Sequence, residues 1–402
     1  MYKVSEINTI NMNKEINSIK KSIEMKEDVE MKEINESNEN KTKETKNIGG
    51  YNDESNKIGK GTFAEVFQGY VSVDGVIKIA AAKKITFPKI PSEYQINYPL
   101  IKKIKQDYDK QSLGSYEFEY QKKQIEIQKL KRIKEKLYYS FCNETIALSI
   151  CDGHPNIISY YGFIFNDNKV FIYTEYCNYG TLKTAINNIY GLTGKKRTIT
   201  SLLSEKHLET LSKYFMKQLK NAMLWLRQNK IMHRDLKPEN ILLTSSFDCS
   251  NINRNNNVEN ISNNGDRIFN ELIMCTIKLA DFGLSTVYED NQTFNSRVGS
   301  LPFMAPEIIY GENYDYKVDV WSFGIVLFKI LIGKLPFPYK TFPEMKKWIT
   351  DVKISDFNKP CRDFVKGCLT FDKKDRFTWE EIDNHEWFSS HDLYGRNSCI
   401  NC

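Results

Sequence analysis

The chain has 402 residues, 41% hydrophobic and 13% aromatic, enough to bury a substantial core. Its formal net charge of +6, from 57 Lys+Arg against 51 Asp+Glu, reads as a mild excess spread along the chain and not as a nucleic-acid footprint. No apolar run approaches a membrane span and no secretory signal opens the chain; nine scattered cysteines, an odd number, point to reduced thiols in a cytoplasmic or nuclear setting.

Residues 1–52 are Lys, Glu, Asn and Ile with no Gly before Gly49. Ile16, Ile19 and Ile23 make a loose helical stripe, and the composition predicts a disordered or transiently helical tail. At Ile58-Gly59-Lys60-Gly61-Thr62-Phe63-Ala64-Glu65-Val66 the texture changes to alternation and glycine. Paired glycines let backbone amides approach a phosphate with no side chain in the way. The run Ile79–Ile85 reads as a strand whose alternation puts Ala81 and Lys83 on one face and Lys84 on the other. Residues 88–136 hold Pro88, Pro91 and Pro99 and then a Lys/Gln/Glu-rich run. Ile127, Leu130, Ile133 and Leu137 predict a helix there with a solvated charged face. Val170–Cys177 reads as the next long strand.

The stretch His233-Arg234-Asp235-Leu236-Lys237-Pro238-Glu239-Asn240 is a short polar loop running into the apolar strand Ile241–Leu243. It can hold a carboxylate, an ammonium and an amide at one point, the set that phosphoryl transfer needs. The Asn-rich segment 245–270 is expected to be a disordered hairpin loop, because it buries too little apolar surface of its own. After the strand Ile277–Ala280 comes Asp281-Phe282-Gly283, a carboxylate at a strand end beside a glycine, placed to hold Mg²⁺. Met304-Ala305-Pro306-Glu307, Asp319-Val320-Trp321-Ser322-Phe323-Gly324 and Arg376 follow in order.

These stretches, in this order, resemble the eukaryotic protein kinases from about residue 53 to 388, and Lys237 after Asp235 resembles their serine/threonine branch. The resemblance implies an α+β, two-lobed fold. A small, mainly-β lobe spans 53–175 with helix C and the insertion 88–136. A larger, mainly-α lobe spans 178–388 with the insertion 245–270, and 389–402 is a short tail. It implies transfer of the γ-phosphoryl group of ATP to Ser or Thr hydroxyls of protein substrates, with Mg²⁺, no nucleic-acid partner and no stable membrane insertion. By resemblance, Ile58, Gly59, Lys60, Gly61, Thr62, Phe63 and Ala64 cover the phosphates, with Ala64 standing where the family has its third glycine. Val66 and Ala81 roof the adenine and Leu242 floors it. Thr174 is the gatekeeper, and backbone groups of Glu175 and Cys177 bond the adenine. Lys83 reaches the phosphates and pairs with Glu144, with Lys84 and Glu135 as the rivals in register. Asp235 takes the substrate proton, Lys237 steadies the phosphoryl group, and Asn240 and Asp281 ligate the metal. Asp319 braces the loop and Arg376 pairs with Glu307. Arg234 implies control by phosphorylation at Ser296, with Thr293 as the neighbouring alternative. The rival class is a pseudokinase, a binding protein on the same fold.

Overall fold

Residues 48–61, 64–89, 110–191, 201–245, 261–337, 354 and 356–389 are described by a computed structural model. The N-terminal lobe is one antiparallel sheet in the order β1-β2-β3-β5-β4. Its strands are β1 (Ile48–Lys60), β2 (Ala64–Val73), β3 (Val76–Thr86), β4 (Tyr160–Asn166) and β5 (Lys169–Glu175). Asp74 and Gly75 turn β2 into β3 with positive φ of 51° and 80°. Two such residues give the turn whose twist matches the flanking strands. Alternation sends Val71, Val73, Ala80, Ala82, Phe171 and Tyr173 to one face, where they form a small core. The opposite face turns Val66, Ala81 and Lys83 toward the cleft, with Val66 directly across from Lys83. Helix α1 (Lys110–Cys151) follows β3 in the chain.

The C-terminal lobe carries the main core. Its helices are α2 (Leu182–Ile189), α3 (Glu205–Gln228), α4 (Ile261–Ile273), α5 (Pro306–Tyr310), α6 (Lys317–Ile332), α7 (Lys359–Cys368), α8 (Trp379–Asp383) and α9 (Glu386–Ser389). Two short antiparallel pairs complete it: β6 (Ile231–Met232) with β9 (Thr286–Val287), and β7 (Ile241–Thr244) with β8 (Thr276–Leu279). Helix α6 is apolar almost all round and buried from Val318 to Leu331 except at Lys329. A helix of that composition belongs in the middle of a lobe. Gly324 lets it approach α7, since a Cβ there would meet Cys368 Cβ at 2.7 Å. This is the α+β two-lobed fold expected from the sequence.

Two expectations change. The tail drawn to residue 52 ends sooner, because Ile48 to Asn52 pair with Val73 to Gly69 of β2. The segment 245–270 is not loop throughout, because α4 starts at Ile261. Ile268, Phe269 and Leu272 lie on one helical face, and Phe269 and Leu272 are buried in the main core. Composition failed there because the surface that buries these residues belongs to the lobe, not to the segment. The helix expected over the charged run continues into helix C: α1 is continuous from Lys110. Along it Ile127 and Leu130 are half-buried, Ile133 is exposed and Leu137 is buried. Expectations for residues 1–47, Thr62, Phe63, 90–109, 246–260 and 390–402 lie outside the described residues.

Candidate active site

The cleft-facing side of β3 and the end of α1 build the first part of the site. Lys83 Nζ donates to both carboxylate oxygens of Glu144, at 2.8 and 2.7 Å, and to Asp281 Oδ1 at 2.7 Å. Lys84 points the other way, 3.2 Å from Glu65 and over the Phe67 ring. Glu135 is exposed on α1, while Glu144 is buried. Burial acts to discharge Lys83, but Asp281 and Glu144 outweigh it and hold the ammonium well above its ordinary value. The same ammonium drops Asp281 to about 2. Burial pushes Glu144 up, against the pull of Lys83.

Asp281 has φ of +63°, a strained position for a residue with a Cβ. The strain is held by its neighbours: Phe282 is fully buried edge-on to His233, and Ser140 Oγ donates to Gly283 O at 2.9 Å. A Cβ on Gly283 would lie 2.8 Å from Ser140 Oγ, so glycine is required by close approach.

The polar loop is fixed from behind. Asp319 at the start of α6 accepts from the amides of His233 and Arg234, at 2.7 and 2.8 Å. Those bonds support Arg234 at φ +62°. Past that bend, Asp235 Oδ2 accepts from Lys237 Nζ at 2.5 Å and from Asn240 Nδ2 at 3.1 Å. Asn240 also donates to Asp235 O at 2.9 Å, and a tight turn over Pro238–Asn240 holds it there. Asp235 Oδ1 is buried and has no hydrogen-bond partner among the described residues. Lys237 also reaches Ser300 Oγ at 2.8 Å.

Around the expected adenine pocket, Val66, Ala81, Thr174 and Leu242 are half-buried and Ile58 is exposed. Gly61 N bonds Ala64 O at 2.8 Å and closes the hairpin. The N–H of Glu175 donates to Ser159 O at 3.0 Å, so its carbonyl is the backbone group this residue can offer to a base. Its carboxylate is held by Ser159 and by Lys278 at 3.0 Å. Burial pushes the Cys177 thiol up to about 12, so the side chain stays neutral.

Arg234 donates to Leu284 O at 2.8 Å and Ser285 O at 3.3 Å, and lies 3.4 Å from both Ser296 Oγ and Tyr314 Oη. The unpaired charge expected at Arg234 is therefore already met in part. Thr293 and Ser296 are both exposed, and only Ser296 touches Arg234. Sequence reasoning missed Tyr314, which is buried and bonds Ser296 through Oη at 2.9 Å. A tyrosine eighteen residues downstream carries no local signal for that contact. Arg376 pairs with Glu307 through two bonds of 2.6 and 2.9 Å.

A carboxylate braced beside a lysine and an amide, facing a lysine clamped by two acids across a cleft between a sheet and a helical lobe, is the layout of a phosphoryl-transfer site. The protein kinase domain family matches residues 117–388, and the chain belongs to that family. A protein of Acanthamoeba polyphaga mimivirus, named provisionally as a serine/threonine-protein kinase, is 35% identical over 243 residues, 59% of this chain and 50% of its own length. The carbon catabolite-derepressing protein kinase of Secale cereale is 31% identical over 245 residues, 59% of this chain and 39% of its own. Serine/threonine-protein kinase atg1 of Dictyostelium discoideum is 30% identical over 243 residues, 59% and 30%. The match thus spans half or less of these relatives' length.

Proposed function

We propose that this chain is an active serine/threonine protein kinase that transfers the γ-phosphoryl group of ATP to hydroxyls of protein substrates. The observation that carries the reading is Asp235. One carboxylate oxygen is held by Lys237 and Asn240, and the other is buried with no hydrogen-bond partner among the described residues. A buried acceptor left unpaired costs about 1–3 kcal/mol, and a substrate hydroxyl is a donor of the right kind. Asp235 then orients that hydroxyl and accepts its proton. Lys237, between Asp235 and Ser300, faces the phosphoryl group in transit and offsets its charge. Lys83 serves the α/β-phosphates, with Glu144 fixing its reach. Val66, Ala81, Thr174, Cys177 and Leu242 line the base pocket.

Use of ATP and Mg²⁺ is general to the family, and the donor set suits a hard cation. Asp281 stays ionised down to about pH 2, and its side chain is 45% exposed. The amide nitrogen of Asn240 is turned toward Asp235, which leaves its oxygen as the metal-facing atom. Mg²⁺, when bound, neutralises phosphate charge; Asp281 and Asn240 are the residues to hold it.

The test is ATP-dependent labelling of a generic Ser/Thr substrate by wild type and by Asp235→Asn. Wild type should label, and the variant should lose about 10²-fold or more. Nucleotide binding by wild type with no transfer would instead make the chain a pseudokinase.

A further inference from the structure

Helix α1 carries positive charge well away from the active-site end that holds Glu144. Residues 121–136 hold seven Lys and Arg against Glu126 and Glu135, a net of +5 in a chain of +6. Positive charge is therefore dense in this stretch of α1, while the acids Glu117, Glu119 and Glu144 lie outside it on the same helix. The helix is continuous through this stretch, and every residue from Lys131 to Lys136 is exposed.

Four of the seven cations share one side, while Lys123, Lys131 and Lys134 lie on the far side of the helix. At 100° per residue, Lys122, Lys129, Arg132 and Lys136 fall with Ile125 and Ile133 in an arc of about 100°. Glu126 borders the arc and Glu135 lies outside it. Phe141, which is buried, lies on the other side of the helix, and buried Leu137 lies about 40° past the arc's edge, beyond Glu126. The arc therefore faces solvent: Ile125 is 54% exposed and Ile133 38%. Among the described residues, none of the four cations is in an ion pair. From Lys122 to Lys136 the row runs about 21 Å.

We propose that this face of α1 docks on an anionic lipid surface. The cations would sit among the head groups, with Ile125 and Ile133 entering just below them. Charge complementarity calls for an anionic partner, and the isoleucines choose among such partners. A helical protein partner needs apolar residues three or four apart to form a seam. Ile125 and Ile133 are eight apart, with Lys129 between them. Nucleic acid would leave Ile125 and Ile133 facing polar phosphates with nothing apolar to cover them, and Tyr139, the nearest described aromatic, lies just outside the arc. A lipid surface needs no seam, because single apolar side chains insert between head groups while lysines bind above.

The experiment is co-sedimentation of the full chain with vesicles of phosphatidylcholine alone or with about one third phosphatidylserine, across a salt series. A cation at an anionic surface strengthens partitioning about fivefold. Wild type should pellet with the anionic vesicles only, and less as salt rises. The fourfold variant Lys122→Gln, Lys129→Gln, Arg132→Gln, Lys136→Gln should lose roughly 100-fold or more. Gln keeps the helix. The pair Ile125→Gln, Ile133→Gln should lose roughly tenfold. A control with Lys206, Lys334, Lys366 and Lys374 changed to Gln should bind like wild type. Circular dichroism checks folding; if the fourfold variant unfolds, the isoleucine pair and the salt series still decide. No wild-type binding, equal binding to neutral vesicles, or full binding by either α1 variant overturns the proposal. So does retention of duplex RNA in place of vesicles. None of these readouts depends on phosphoryl transfer.

Discussion

Replacing Arg376 with Met tests whether the C-terminal lobe is held by the pair that closes the segment after Ser300. Arg376 is fully buried, and its guanidinium makes five hydrogen bonds. Two go to Glu307, at 2.6 and 2.9 Å. The other three go to the carbonyls of Thr370, Lys317 and Phe371, at 3.0, 3.0 and 3.2 Å. Arg376→Met fills similar space but leaves a carboxylate that is 4% exposed with no cation. Breaking a buried pair from one side costs about 3–5 kcal/mol. We expect about 4 kcal/mol here, a large part of the roughly 5–15 kcal/mol that a typical fold has in hand. Most of that cost is the stranded charge of Glu307. The double variant Arg376→Met, Glu307→Leu should therefore be more stable than Arg376→Met alone. Urea unfolding followed by tryptophan fluorescence suits the question, because Trp321 lies 5.1 Å from the guanidinium. A loss under about 1 kcal/mol in Arg376→Met, or a double variant worse than either single, would refute the argument.

Three further outcomes follow from the geometry. Asp281 is depressed from 3.8 to about 2 by Lys83, so its contribution to stability is complete above its ordinary value and is lost as pH falls through about 2. Between about pH 4 and 2 the urea midpoint of wild type should therefore fall faster than that of Asp281→Asn, and parallel curves would count against the pairing. Phe269→Ala empties a buried place under α4 and should cost about 3 kcal/mol, read as a lower melting temperature. No change would mean that α4 is not anchored by its apolar face. Phosphorylation of Ser296 would bring two negative charges onto Arg234, but the bonds of Arg234 to Leu284 and Ser285 already order the segment in part. Phosphatase treatment and Ser296→Ala should each lower the transfer rate several-fold, with Thr293→Ala neutral; full activity in Ser296→Ala would remove the site.

What the sequence made legible was local. Strand alternation alone separates Lys83 from Lys84, because the two must face opposite ways. The spacing of Asp235, Lys237 and Asn240 places three polar groups in one turn, whatever the rest of the chain does. Contacts supplied from far along the chain were not legible. Nothing near Glu175 announces that its N–H is taken by Ser159 or its carboxylate by Lys278. Nothing near Ser296 announces Tyr314. Helix α4 was hidden because Asn-rich composition reports how much apolar surface a segment has. It does not report how much a neighbouring lobe has ready to cover it. Helix α1 was only half visible: its apolar positions showed, but the sidedness of its charge needed the exposed face.

The brace at Asp319 has a consequence in time. The amide protons of His233 and Arg234 are locked onto a carboxylate that is 2% exposed at the start of the lobe's central helix. Those protons can swap with solvent only when α6 lifts away, an event of the same scale as opening the lobe itself. The bend that presents Asp235 should therefore exchange slowly for a segment at the mouth of a cleft. Molecules can enter and leave that cleft on a far shorter clock than the one that governs its shape.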